Sequence, residues 1–118
     1  MCATTANGGT LYECEAKEAA GLEDGGALKP YPQFPHASRR FMVDKNSGLA
    51  IGEIFPFRNL IWKLIEQGSK TTSFKVIGFS AAGQPAAALT ILEYRENVEK
   101  PFVLLDIQIG SVTTGLCR

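Results

Sequence analysis

Between residues 51 and 111 the sequence reads as strand, helix, strand, helix, strand, which predicts a fold where strands and helices follow one another. After Pro56, the side chains Phe57, Leu60, Ile61, Leu64 and Ile65 fall at i, i+3, i+4, i+7 and i+8, one face of a helix. Pro56 suits the first helical position and Gly68 the residue past the end. Residues 74–80 then read as a strand, with Val76, Ile77 and Phe79 as β-favouring side chains and Gly78 marking a close approach to the backbone. Residues 82–98 admit two readings. As a helix from Pro85, Ala87, Ile91, Tyr94 and Val98 share a face and three successive alanines support it. As a strand, residues 89–94 pair back on residues 74–80 across Gly83-Gln84. The helix is the favoured reading. Beyond Pro101, Val103, Leu105, Ile107 and Ile109 alternate with Leu104, Asp106 and Gln108, which predicts a strand with one face buried. Residues 112–118 suffice only for a short edge strand.

Ahead of this segment, residues 40–43 and 49–53 are strand candidates around Lys45-Asn46-Ser47-Gly48, a sequence suited to a tight hairpin turn. Residues 1–28 are rich in Gly, Ala, Thr and Glu and carry no repeated apolar face, so they read as largely disordered. Within them residues 11–20 have the length of a short helix, marginal in water unless docked. In Lys29-Pro30-Tyr31-Pro32-Gln33-Phe34-Pro35 the prolines fix φ and remove donors, favouring an extended linker. Tyr31 and Phe34 there would dock on the core or present a ligand to a proline-recognition domain, docking or a simple linker being favoured. A chain of 118 residues is the size of one domain. The division expected is a flexible acidic arm with a Pro-rich linker over 1–38 and a folded domain over 39–118.

Cys2, Cys14 and Cys117 have no Cys-x-x-Cys spacing, and an odd count leaves at least one thiol over, so free thiols are expected. The single histidine, His36, sits in the proline-rich stretch with no cysteine near it, which argues against structural zinc and against a Cys-His nucleophile pair. No catalytic residues, metal site or cofactor are expected. No apolar run approaches the roughly 18 residues of a membrane helix, and the start lacks the basic and apolar regions of a secretory signal. The protein is therefore expected inside the cell, in nucleus or cytoplasm, with no membrane partner. Lys plus Arg number 12 and Asp plus Glu number 12, for zero net charge. Residues 1–30 hold two lysines against five carboxylates, a net −3, which leaves +3 on the rest. A modestly positive body is compatible with weak or partner-assisted RNA binding, although a solvated mixed surface has the same composition.

The landmarks Ile51-Gly52, Arg58-Asn59-Leu60, Gln67-Gly68, Ser80-Ala81-Ala82-Gly83 and Ile109-Gly110-Ser111, in that order, resemble the Alba family of small nucleic-acid-binding proteins. The resemblance spans about residues 49–112. It implies an α+β fold, a β-α-β-α-β(β) two-layer sandwich with two helices on one face of a small mixed sheet. It also implies a homodimer, or a heterodimer with another Alba-like subunit, as in the subunits of ribonuclease P and MRP particles. Where the family usually presents lysines after the first strand this chain has Glu53 and Ile54, and where it presents arginines before the second helix it has Ser80 and Ala81. The implied function accordingly moves from duplex DNA toward RNA held with a partner.

The residues expected to carry that function are Arg58 in the first turn of the predicted helix, Trp62 one turn later, and Lys63 beside it. Arg39, Arg40 and Lys45, which flank the leading hairpin, extend the patch. A guanidinium can contact phosphate while an aromatic ring stacks on an unpaired base. The alternative is a protein–protein interaction module on the same scaffold that has lost nucleic-acid binding.

Overall fold

A computed structural model describes residues 10–31, 40–52 and 59–118, and every regular element among them is a β-strand. The strands are β1 (Leu11–Leu22), β2 (Leu28–Pro30), β3 (Arg40–Asp44), β4 (Ala50–Gly52), β5 (Ile61–Gln67), β6 (Phe74–Phe79), β7 (Pro85–Ile91), β8 (Lys100–Asp106) and β9 (Ser111–Cys117). They form one antiparallel sheet in the order β4-β3-β1-β9-β8-β7-β6-β5, with β2 added alongside the end of β1. Because β1 pairs with both β3 and β9, the first and last strands meet and the sheet curls into a nearly closed barrel. Among the described residues β4 and β5 share no ladder. The β3–β4 turn bridges that seam, where Gln67 Nε2 donates to the Lys45 carbonyl (3.2 Å) and to Asn46 Oδ1 (3.3 Å).

The α+β sandwich with two helices is thus corrected to an all-β fold. The apolar spacing at 57–65 satisfied a helical period, but its described part is strand β5, where Trp62 and Leu64 turn inward while Ile61 and Ile65 stay 58% and 56% exposed. Ladder bonds to β6, from Ile61 opposite Phe79 to Gln67 opposite Phe74, override the local pattern, and a bulge at Ile65 shifts their register. The alanines at 86–88 favour helix in isolation. In the barrel they form part of β7, and Ala86 and Ala87 are small enough to lie buried inside. The hairpin reading of this region is the one the chain adopts, turning at residues 80–84 with Gly83 at φ 83° and Gly83 N–H donating to the Ser80 carbonyl at 2.8 Å.

Two other expectations change. Residues 11–22, placed in a disordered arm, form the longest strand, with Tyr12, Cys14, Ala16 and Ala19 buried. A bulge at Lys17 shifts the register, so that Ala19 rather than Glu18 turns inward. Residues 111–117 are no edge strand, because β9 pairs on one side with β8 and on the other with β1. The leading hairpin of β3 and β4 and the strand from Phe74 are as expected.

The core fills the barrel with one cluster that includes Tyr12, Phe41, Val43, Trp62, Phe74, Val76, Leu89, Ile91, Phe102 and Leu104. Phe41 meets Phe102 edge-on at 5.0 Å and Tyr12 meets Phe74 at 5.1 Å, the geometry aromatic rings prefer. Where β1 and β9 pass each other, Cys14 lies opposite Cys117 and the two are joined by a disulfide, so these thiols are not free. Gly115 permits that approach. A Cβ there would stand 2.1 Å from the Glu15 carbonyl oxygen and 2.8 Å from Ala16 Cα. Gly115→Ala is expected to cost about 3 kcal/mol, read as a lower urea midpoint at unchanged slope. A variant as stable as the parent would show that the two strands are not packed at this spacing.

Candidate interaction face

Of the side chains expected to bind nucleic acid, Arg39 and Arg58 lie outside the described residues. Trp62 is 7% exposed, its ring packed over the backbone of Gly78, so it offers no free face for a base. Its ring is the close approach that Gly78 signalled. Lys63 stands on the outer side of β5 with Nζ 5.4 Å from the Phe79 ring centre. Lys45, in the β3–β4 turn, holds Nζ 4.6 Å from the Tyr12 ring centre. Arg40 on β3 reaches Glu15 with Nε 4.0 Å from Oε2. Each of these three cations thus meets its own neighbour, and no contact among the described residues joins one to another.

Two polar features were not foreseen. At the barrel end that carries the β3–β4 and β7–β8 turns, the Tyr12 hydroxyl donates to Glu93 Oε1, and Lys100 Nζ lies 3.8 Å from Glu93 Oε2. Burial, reinforced by the Glu93 carboxylate, pushes the Tyr12 phenol well above its ordinary range. A phenol held neutral in this way is a donor that ties β1 to the β7–β8 turn, and it is unsuited to serve as a base near neutral pH. The second feature is a cleft of about 300 Å³ between β1 and the C-terminal end of β9, lined by Glu13, Glu15, Glu99, Lys17, Arg40 and Arg118. Lys17 pairs with Glu15 at 3.1 Å and Arg118 with Glu99 at 2.8 Å, so opposite charges cancel within the cleft and leave little field to draw an ion. Among the described residues no cluster of His, Cys, Asp or Glu is placed to hold a metal ion. No described helix is long and apolar enough to cross a membrane.

The outer face of β7, β8 and β9 is different in kind. Alternation on β8 was legible in the sequence, but the buried side is Phe102, Leu104 and Asp106, which leaves Val103 and Leu105 outward, 42% and 39% exposed. Cross-strand register then builds three outward rows. Ala88 lies opposite Leu105 and Leu105 opposite Val112; Thr90 lies opposite Val103 and Val103 opposite Thr114. In the third row the Leu92 N–H donates to the Pro101 carbonyl at 2.9 Å, and Pro101 lies opposite Leu116. Not one of these nine side chains is charged. One strand further out on either side the middle row ends in charge, with Lys75 of β6 opposite Thr90 and Glu18 of β1 opposite Thr114.

An antiparallel barrel with one solvated surface normally alternates apolar-in and polar-out. Here the outward positions of three neighbouring strands are apolar or hydroxylic, and contiguous apolar surface of this kind marks contact sites. The signal was present at residues 101–105 and 112–116, but only the register places the two stretches side by side.

No protein-family model, curated protein or solved structure matches the chain.

Proposed function

We propose that this protein is a non-enzymatic interaction module whose working surface is the outer face of β7, β8 and β9. The observation that carries this reading is the uncharged block centred on Val103, whose outward side chains would be polar if the face met only water. The reading is preferred to RNA binding because Trp62 is buried and the cations Lys63, Arg40 and Lys45 are each engaged with separate neighbours. The Cys14–Cys117 bridge supports placing the function in an oxidising compartment, since cytosolic thiols are kept reduced.

The test has two arms. Fluorescence anisotropy with a labelled single-stranded RNA at low salt is expected to show no saturable binding. Retention on a phenyl matrix is expected to fall sharply when Leu105→Lys and Val112→Lys are introduced together, and far less for Met42→Lys with Ile51→Lys on β3 and β4. Saturable RNA binding that weakens steeply with salt and is lost in Lys63→Glu would overturn the proposal.

A further inference from the structure

Resting on that reading of the face, we infer that its occupant is a second copy of this chain, docked about a two-fold axis passing over Val103. Across five strands the middle row reads Lys75, Thr90, Val103, Thr114, Glu18, and this sequence of side chains is nearly its own mirror image. A two-fold axis lying in the interface, parallel to β8 and passing over Val103, places β7 over the other copy's β9 and β6 over its β1. Thr90 then faces the other copy's Thr114, and Lys75 faces the other copy's Glu18, twice by symmetry. An isologous contact needs this self-complementarity, in which residue i meets j while j meets i.

The flanking rows obey the same operation. Leu105 and Pro101 each come to face their own copies, Ala88 faces the other copy's Val112, and Leu92 faces the other copy's Leu116. Every exchange pairs an uncharged side chain with an uncharged one. Barrel curvature draws β6 and β1 back from the crest, and there the row carries long side chains, with short ones on the crest at Thr90, Val103 and Thr114. Such a profile suits two convex surfaces, because the flexible flanks can reach around a narrow apolar contact.

The charges are available for the purpose. Glu18 makes no ion pair among the described residues, and Lys75 is held only by exposed Glu66 at 3.1 Å, a surface pair that contributes little by itself. An unrelated partner would not need to reproduce the chain's own sequence of charge, and a second copy does so by identity. Electrostatic matching at such a rim sets orientation and excludes other registers.

The decisive experiment is a charge exchange followed by sedimentation of the full chain. The parent is expected to sediment as a dimer at micromolar concentration. Lys75→Glu alone or Glu18→Lys alone, each acting twice per dimer, is expected to weaken association by about tenfold, and the two together to restore it. Val103→Cys, in a Cys2→Ser background, is expected to cross-link with its own copy on oxidation, because a residue on a two-fold axis meets itself; Met42→Cys is expected not to. All these positions point outward, so circular dichroism should be unchanged. A parent that stays monomeric, or a double exchange that recovers nothing, overturns the dimer. Face-dependent phenyl retention surviving that result would leave the interaction-module reading in place, whereas RNA binding would remove the reading itself.

Discussion

Replacing Cys14 and Cys117 together by alanine is expected to lower the unfolding free energy by about 4 kcal/mol and the melting temperature by about 15 °C. The bridge spans 103 residues of sequence, so it restricts the unfolded chain over nearly its whole length. Loop-closure entropy grows with that span, which places this bridge toward the upper end of the usual range. It also joins β1 to β9, the pairing on which closure of the barrel depends. Both cysteines are buried, so reductant alone should act slowly on the folded protein and quickly once denaturant opens it. Urea melts with and without reductant measure the effect. Coincident curves would show that the bridge contributes nothing to stability.

The second large effect concerns the only tryptophan. Trp62→Ala is expected to cost about 4 kcal/mol, as truncation of a buried aromatic side chain does. Its ring is 7% exposed and packs against Gly78, so no neighbour can close the space without moving β5 relative to β6. Native fluorescence should be blue-shifted and poorly quenched by acrylamide, moving red on unfolding. A side chain reserved for stacking on a nucleic-acid base would behave in the opposite way. Its loss would change stability by less than about 0.5 kcal/mol, and quenching would be strong in the folded protein.

Trp62 also shows why the fold was only partly readable. In residues 57–65 a helical and a strand period both account for the apolar positions, and short apolar runs do not separate them. What separates them lies elsewhere in the chain, in the ladder that β6 offers to β5 and the ladder that β7 offers to β6. The three alanines of β7 illustrate the same conflict. Their intrinsic preference is helical, yet in the barrel Ala86 and Ala87 lie buried while Ala88 turns outward. Residues 11–22 carry a weak strand signal for a related reason. Cys14, Ala16 and Ala19 are small and are interleaved with charges, and the bulge at Lys17 interrupts the alternation that would have announced a strand.

The candidate face was half legible. Alternation at residues 103–109 was visible, but not which side is buried, because Val and Ile stand on one side while Phe, Leu and Asp stand on the other, and the strand ends at Asp106 with residues 107–110 in a turn. A carboxylate such as Asp106 is ordinarily solvent-facing. Here it is buried at the start of the β8–β9 turn, where Oδ1 accepts the N–H groups of Gln108 at 3.1 Å and Ile109 at 3.4 Å, so its polarity is satisfied locally.

By itself, then, the sequence determined the leading hairpin, the strand beginning at Phe74 and the strand nature of residues 103–106, each through turn residues or alternation within a few positions, and it offered the turn at Gly83 only as the less favoured reading. The tertiary structure decided the rest: that residues 61–67 and 85–91 are strands, that Cys14 meets Cys117, and that three separate stretches unite into one uncharged face. The physical reason is the range of the interactions involved. Turn chemistry and period-two patterning act between near neighbours, whereas ladder pairing, barrel closure and a disulfide across 103 residues depend on partners that no local window contains.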